Sequence, residues 1–206
     1  MDVLRAKNES HWIKQINEWV EAHMASFDSP LVHLPAGDTP ASLYAEWDEH
    51  RPEFLNKARF QQVDDIVTGS QKGLFQRFFQ KSLPSYGEQF HPLGDEPLAS
   101  QVAILGVGLN GHIAFHEPHI PLNFNYGCVP LAEKTKAHLH MQGPVWGLTY
   151  GVGHFIKTNA VLVLARGEAK TEIIQKILTG SSEALPVAEL AKKGKVTLMI
   201  SDEIRI

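Results

Sequence analysis

Three short runs of this sequence combine residue types that suit proton transfer on a small anionic molecule. The longest is Gly106-Val107-Gly108-Leu109-Asn110-Gly111-His112, which continues as Ile113-Ala114-Phe115-His116-Glu117-Pro118. Histidine titrates near neutrality without large perturbation, so His112 is a candidate acid or base. Read alone, it is more often a satisfied loop histidine. The second run is the acidic pair Asp64-Asp65. Adjacent carboxylates push one pKa upward, which helps a base to work near neutral pH; without other context such a pair caps a helix or lies in a solvated turn. The third, Pro35-Ala36-Gly37-Asp38-Thr39-Pro40, puts Gly37 and Thr39 just before a helical stretch. Unpaired amides and the helix dipole attract anions at such a place.

Two other chemistries share these letters. Gly106 to Gly111 spells the dinucleotide fingerprint, but that fingerprint needs a helix opening at its third glycine. Pro118 and Pro121 leave little room for one, so no nucleotide cofactor is expected. His112, His116 and Glu117 could also ligate a metal if both histidines shared a helical face. The segment does not read as helix, and no metal is expected.

The elements that must position these groups follow from periodicity. Trp12, Ile13, Ile16, Trp19, Val20 and Met24 recur at steps of three and four, which predicts an opening amphipathic helix with Ser10 as its cap. Short apolar runs at Leu31 to Leu34, Phe60 to Val63, Val102 to Leu105, Val161 to Leu164 and Val196 to Ile200 read as strands. Helical stretches fall between them, at about Pro40 to Asp48, Gln71 to Ser82, Glu168 to Leu178 and Val187 to Lys193. Strand–helix alternation predicts an α/β fold with a mostly parallel sheet flanked by helices. The three chemical runs all follow strand ends, where ligands of open α/β sheets bind.

Bulk properties narrow the class. At 206 residues, 43% hydrophobic and 20% charged, the chain suits one domain spanning residues 1–206. A net charge of −4 with interspersed signs argues against nucleic acid as a partner. One cysteine, Cys128, excludes an internal disulfide and fits a reducing compartment. The charged N-terminus and the lack of an apolar run of roughly 18 residues point to a cytoplasmic protein without a membrane partner.

The run from Gly106 to Pro118 resembles the signature of the glucosamine-6-phosphate deaminase/isomerase family, in which Asp-Gly-His-Ile-Ala-Phe-Asn-Glu-Pro follows the glycines. Related 6-phosphogluconolactonases share Asp-Gly-His but usually lack the Phe-Asn-Glu-Pro ending. Leu34 to Pro40 is similar to the family's phosphate loop, Val63-Asp64-Asp65 to its Met-Asp-Glu, Gly147 to Gly153 to its Leu-Thr-Val-Gly element, and Gly167 to Lys170 to its Gly-x-x-Lys. The resemblance implies a modified Rossmann-like fold. It also implies a reaction that opens an amino-sugar phosphate, moves a proton from C2 to C1 and releases ammonia. By resemblance Asp64 is the proton shuttle, His112 acts in ring opening, Glu117 orients His112, and Lys170 faces the phosphate. Gly37, Asp38, Thr39, Asp65, Gly108 and Gly111 fall at substrate-binding positions. The resemblance implies no cofactor. Family members are often oligomeric, so a homo-oligomer is an open expectation.

Several positions depart from the family pattern. Asn110 replaces an aspartate, so it can accept a hydrogen bond from His112 but cannot stabilise an imidazolium by charge. Sequences described as galactosamine-6-phosphate deaminases also carry Asn-Gly-His here. Asp38 would repel a dianion unless it turns away as a cap, and Ala36 lacks the family's hydroxyl. The stretch from His119 to Gly143 looks shorter than the family's lid and has no clear phosphate-binding arginine; Lys136, His138 and His140 are the substitutes, the two histidines sharing a face if the segment is a strand. Two further readings stay open, a 6-phosphogluconolactonase-type hydrolase and a non-catalytic sugar-phosphate-binding protein.

Overall fold

The computed structural model describes residues 1–180 and 183–206; the side chain of His138 lies outside the description. Strand β1 (Asp2–Ala6) leads to α1 (Glu9–Met24), β2 (Leu31–Leu34), α2 (Ala41–His50), β3 (Arg59–Gln62), β4 (Asp64–Ile66) and α3 (Leu74–Ser82). Then come β5 (Val102–Gly106), β6 (Tyr126–Pro130), α4 (Glu133–His138), β7 (Trp146–Tyr150) and α5 (Val152–Phe155). The chain closes with β8 (Ala160–Ala165), α6 (Thr171–Thr179), α7 (Pro186–Lys193) and β9 (Val196–Ser201).

Six strands form one parallel sheet in the order β1-β9-β8-β5-β2-β3. Its central strands are apolar on both faces, as parallel strands under helices must be. Val102, Ile104, Ala160, Leu162 and Leu164 point to one face, where Trp12, Ile16, Trp19 and Val20 of α1 and Leu43, Tyr44 and Trp47 of α2 cover them. The alternate residues Ala103, Leu105, Val161, Val163 and Ala165 pack against Ile173, Ile174 and Ile177 of α6 and Val187 and Leu190 of α7. Burial of each large aliphatic or aromatic side chain contributes about 1.5–3 kcal/mol, so these two layers dominate the favourable side of folding.

The five anticipated strands and the helices between them are present, with shifted ends. Asn8, rather than Ser10, caps α1: its Oδ1 accepts from the His11 amide at 2.9 Å. Residues 168–170 form a 3-10 turn before α6. A second, three-stranded antiparallel sheet in the order β4-β7-β6 was not anticipated. Its strands are three to five residues long and rich in glycine and polar residues, so they carry little hydrophobic alternation. The edge strand β1 was missed for the same reason, being largely exposed. Among the described residues, no helix is long and apolar enough to cross a membrane.

The two sheets meet at a buried polar cluster. His33 of β2, fully buried, packs against the Tyr150 ring at a tilt, with centroids 4.3 Å apart, and lies 5.2 Å from the His154 ring. The Tyr150 hydroxyl donates to Gln61 Oε1 at 2.7 Å and accepts from the Leu98 amide at 2.8 Å. Burial, reinforced by His154, pushes His33 down to about 3; burial and Lys157 push His154 down to about 4. In the unfolded chain both would protonate near their usual value of about 6.5. Between those limits the unfolded state binds more protons, so stability falls as pH is lowered. His33→Gln is expected to lose less stability between pH 7 and pH 4.5 than the native chain, by on the order of 2 kcal/mol in urea denaturation. Identical losses in both proteins would remove His33 as the source.

Candidate active site

All six strands of the large sheet run the same way, so their carboxyl ends lie on one edge. β2 is followed in the sheet by β3 on one side, while β5 is followed by β8 on the other. The order therefore reverses between β2 and β5, where open α/β sheets hold their ligands. The loops after these four neighbouring strands carry the candidates: Gly37 to Thr39 after β2, Asp64 after β3, Gly106 to His112 after β5, and Lys170 after β8.

The loop after β5 is a tight turn, not a helix. The Gly108 amide donates to the His112 carbonyl at 2.9 Å, and the Gly111 amide donates back to Gly108 at 3.0 Å. A Cβ on Gly108 would stand 2.2 Å from the His112 ring, so only glycine lets the imidazole lie against the loop. Gly111 has φ of +83° and its carbonyl receives the Val187 amide of α7 at 3.0 Å. Both glycines thus shape the loop and seat the histidine.

His112 Nδ1 lies 2.7 Å from Asn110 Oδ1, and Asn110 Nδ2 donates to Glu117 Oε2 at 2.7 Å. A carboxylate accepts only, so Glu117 fixes which way the Asn110 amide faces. The amide oxygen must then meet Nδ1, the proton sits on Nδ1, and the Nε2 lone pair is left free. Glu117 Oε1 is 3.7 Å from Nδ1 and accepts from the Thr135 hydroxyl of α4 at 3.2 Å. Burial holds the imidazole below its ordinary pKa; the Glu117 charge opposes this and the Lys170 charge reinforces it.

Asp64 and Asp65 are adjacent but differ in environment. Asp65 Oδ1 accepts from the Ile66 and Phe75 amides at 2.8 and 2.9 Å, and Oδ2 from Gln62 Nε2 and the Gln76 amide at 2.8 and 3.0 Å. It therefore ties the opening turn of α3 to β3, a capping role remote in sequence. Asp64, 5% exposed, receives no such donors among the described residues. Burial, and then the Asp65 charge, raise Asp64 well above the usual carboxylate range. Its backbone is held by β4 opposite Thr149, whose hydroxyl accepts from the Phe115 amide at 3.1 Å.

The remaining candidates are distributed as follows. Gly37 has φ of +112° in an exposed turn, and the helix start at Pro40 has no side-chain cap. Asp38 is exposed and supplies no cap, contrary to the condition set for it above. Lys170 donates to the Val107 carbonyl at 2.7 Å, beside the glycine loop, and burial lowers its pKa. Both nitrogens of His116 are engaged, Nδ1 accepting from the Val152 amide at 3.0 Å and Nε2 facing the Ile120 carbonyl at 3.3 Å, so it offers no lone pair to a metal. Residues 133–138 are helical, which removes the shared strand face expected of His138 and His140. Lys136 is bound to Glu133 and to the Gly143 carbonyl at 2.6 and 3.0 Å, His140 is exposed, and the His138 side chain lies outside the described residues.

No family model matches the chain. The glucosamine-6-phosphate deaminase of Bacillus thuringiensis (strain Al Hakam) is 26% identical over 230 residues, covering 98% of this chain and 87% of its own. That of Bacillus cereus (strain AH820) matches to the same extent, 26% over 98% and 87%. A solved monomeric glucosamine-6-phosphate deaminase superposes with a TM-score of 0.80 at 20% identity, over 98% of both chains. The chain is a relative of the glucosamine-6-phosphate deaminases. The 6-phosphogluconolactonase of Leishmania guyanensis shares the fold, with a TM-score of 0.75 at 17% identity over 98% of this chain and 96% of its own.

Two features that matter beside the deaminase signature escaped the sequence reading. Thr135 reaches Glu117 across 18 residues, with no signal beyond being a hydroxyl in a polar segment. The packing partners of Gly147 and Gly151, within the element that resembles the family's Leu-Thr-Val-Gly, were likewise not legible: a Cβ would lie 2.4 Å from Phe115 and Phe124 respectively.

Two substitutions separate scaffold from site. Asp65→Ala strands several buried donors and is expected to destabilise the fold by about 2–4 kcal/mol in chemical denaturation. Loss below about 0.5 kcal/mol would contradict its capping role. Gly108→Ala is expected to expel the imidazole into solvent and return its NMR titration upward to the ordinary histidine value, near 6.5. An unchanged His112 titration would show that the ring tolerates the added methyl group.

Proposed function

We propose that the chain is an amino-sugar-6-phosphate deaminase/isomerase acting on glucosamine 6-phosphate or galactosamine 6-phosphate. The observation that carries this reading is the pairing of a buried, donor-poor Asp64 with an imidazole whose Nε2 lone pair is left free by the Asn110–Glu117 relay. Such a site asks for two distinct proton transfers. The relationship to the deaminases supports it.

In this reading Nε2 of His112 takes the anomeric hydroxyl proton and returns it to the ring oxygen, opening the pyranose. The Asp64 carboxylate removes the C2 proton; the electron pair forms the C1–C2 double bond and the carbonyl pair moves onto O1 as an enolate, which takes up a proton from the C2 amino group once C1 is protonated. Asp64 then delivers the proton to C1, leaving an imine at C2. Water adds to C2, and ammonia departs to leave the ketose phosphate. A raised pKa makes the Asp64 carboxylate a stronger base once ionised, and the donor-poor pocket avoids holding it in a fixed hydrogen bond. The amide-rich turn at Gly37 and Thr39 before α2, with Lys170, supplies the phosphate contacts. Asp38 adds a local charge that weakens a dianion's hold there. Because Asn110 is neutral, imidazolium formation relies on Glu117 through one amide.

The lactonase fold neighbours favour a second reading, hydrolysis of a 6-phosphogluconolactone, in which His112 activates water and Asp64 has no proton to move. Ammonia release from either amino-sugar phosphate supports the deaminase, and the preferred epimer identifies what Asn110 selects. Asp64→Asn is expected to reduce C2 proton exchange at least about 100-fold. Lactone hydrolysis without ammonia release, undiminished in Asp64→Asn, would replace the deaminase with the lactonase. Binding of a hexose 6-phosphate with neither turnover would leave a sensor.

A further inference from the structure

Glu117 divides its carboxylate between two partners. Oε2 takes the Asn110 amide at 2.7 Å, and Oε1 takes the Thr135 hydroxyl at 3.2 Å while standing 3.7 Å from His112 Nδ1. A threonine hydroxyl within a helix commonly satisfies itself on the backbone one turn earlier. Here it is directed out of α4 onto a buried acid instead. We propose that Thr135 is a positioning residue for His112, acting through Glu117 to keep the carboxylate on Asn110 and away from the imidazole. This deepens the reading above, in which His112 serves as a base, and rests on it for its catalytic consequence.

The competition is geometric. While Oε1 is held by Thr135, the Nδ1 proton goes to the Asn110 oxygen and the ring is a neutral base. Released, the carboxylate needs only a rotation of its terminal torsion to close the 3.7 Å gap and make a direct ion pair with Nδ1. That pair favours imidazolium, which has no lone pair at Nε2. The charged groups facing the ring are Glu117 from its own loop and Lys170 from the turn after β8. From α4 the contact is the neutral Thr135, because neighbouring Lys136 is bound to Glu133 and the Gly143 carbonyl. Among the described residues, the segment joining β6 to β7 therefore acts on the imidazole through one hydroxyl.

The test is an NMR titration of the His112 ring, assigned with His112→Gln, in the native protein, Thr135→Val, Thr135→Ala and Thr135→Ser. Both hydroxyl-free variants are expected to raise the midpoint by about one pH unit, and Thr135→Ser to restore it. In steady-state assays at pH 7 they should lower kcat about tenfold with KM within about twofold of native, Thr135→Ser again recovering. A native midpoint in either hydroxyl-free variant, with the fold intact by circular dichroism, overturns the proposal. So does a serine variant as altered as valine. The titration needs no turnover: shifted midpoints in a protein that releases no ammonia would sink the deaminase reading and leave the positioning role standing.

Discussion

A strand with helices on both faces has no dry place for a charged side chain except where it stops. Residues 102–105 and 160–165 are buried on both sides, and polar groups in that interior would forfeit their hydration without compensation. The parallel arrangement then sends all strand ends to one edge, and the order reverses between β2 and β5, where open α/β sheets hold their ligands. The candidate acids, histidine and lysine accordingly follow strand ends along that one edge. The exception is His33, which lies inside β2 and remains neutral at the cost of a strongly lowered affinity for protons.

The small antiparallel sheet fixes the acidic pair at that edge. By pairing Asp64 with Thr149, β4 and β7 hold the acid's backbone just past the end of β3, while Asp65, pointing the other way, ties the start of α3. Two chemically identical neighbours are thereby made different. One is saturated with donors; the other is buried and, among the described residues, receives none. Strand alternation is sufficient to separate them, since consecutive side chains leave a strand on opposite faces.

Asn110 changes the electrostatic design relative to the deaminase signature without breaking its geometry. The amide bridges His112 and Glu117, so orientation is retained and direct charge stabilisation is displaced by one group. The imidazole, already opposed by burial and by Lys170, is thus held as a neutral base with a defined tautomer. A site of this kind suits abstraction of a hydroxyl proton better than donation from a standing imidazolium.

Much of the frame was legible in the chain itself. Apolar runs four to six residues long, alternating with helical periodicity, determine a parallel α/β sheet because only two-sided burial suits them. The glycine-rich run ending in His112 also declared a chemical loop, since Gly108 is the residue that can lie under the ring. What the order of residues did not determine was partnership. The roles of Asp64 and Asp65, the capture of Glu117 by Thr135, and the small sheet itself depend on contacts across 11 to 85 positions. Such contacts leave no local period, because hydrogen bonds between distant side chains constrain one residue at a time, whereas burial constrains a whole face.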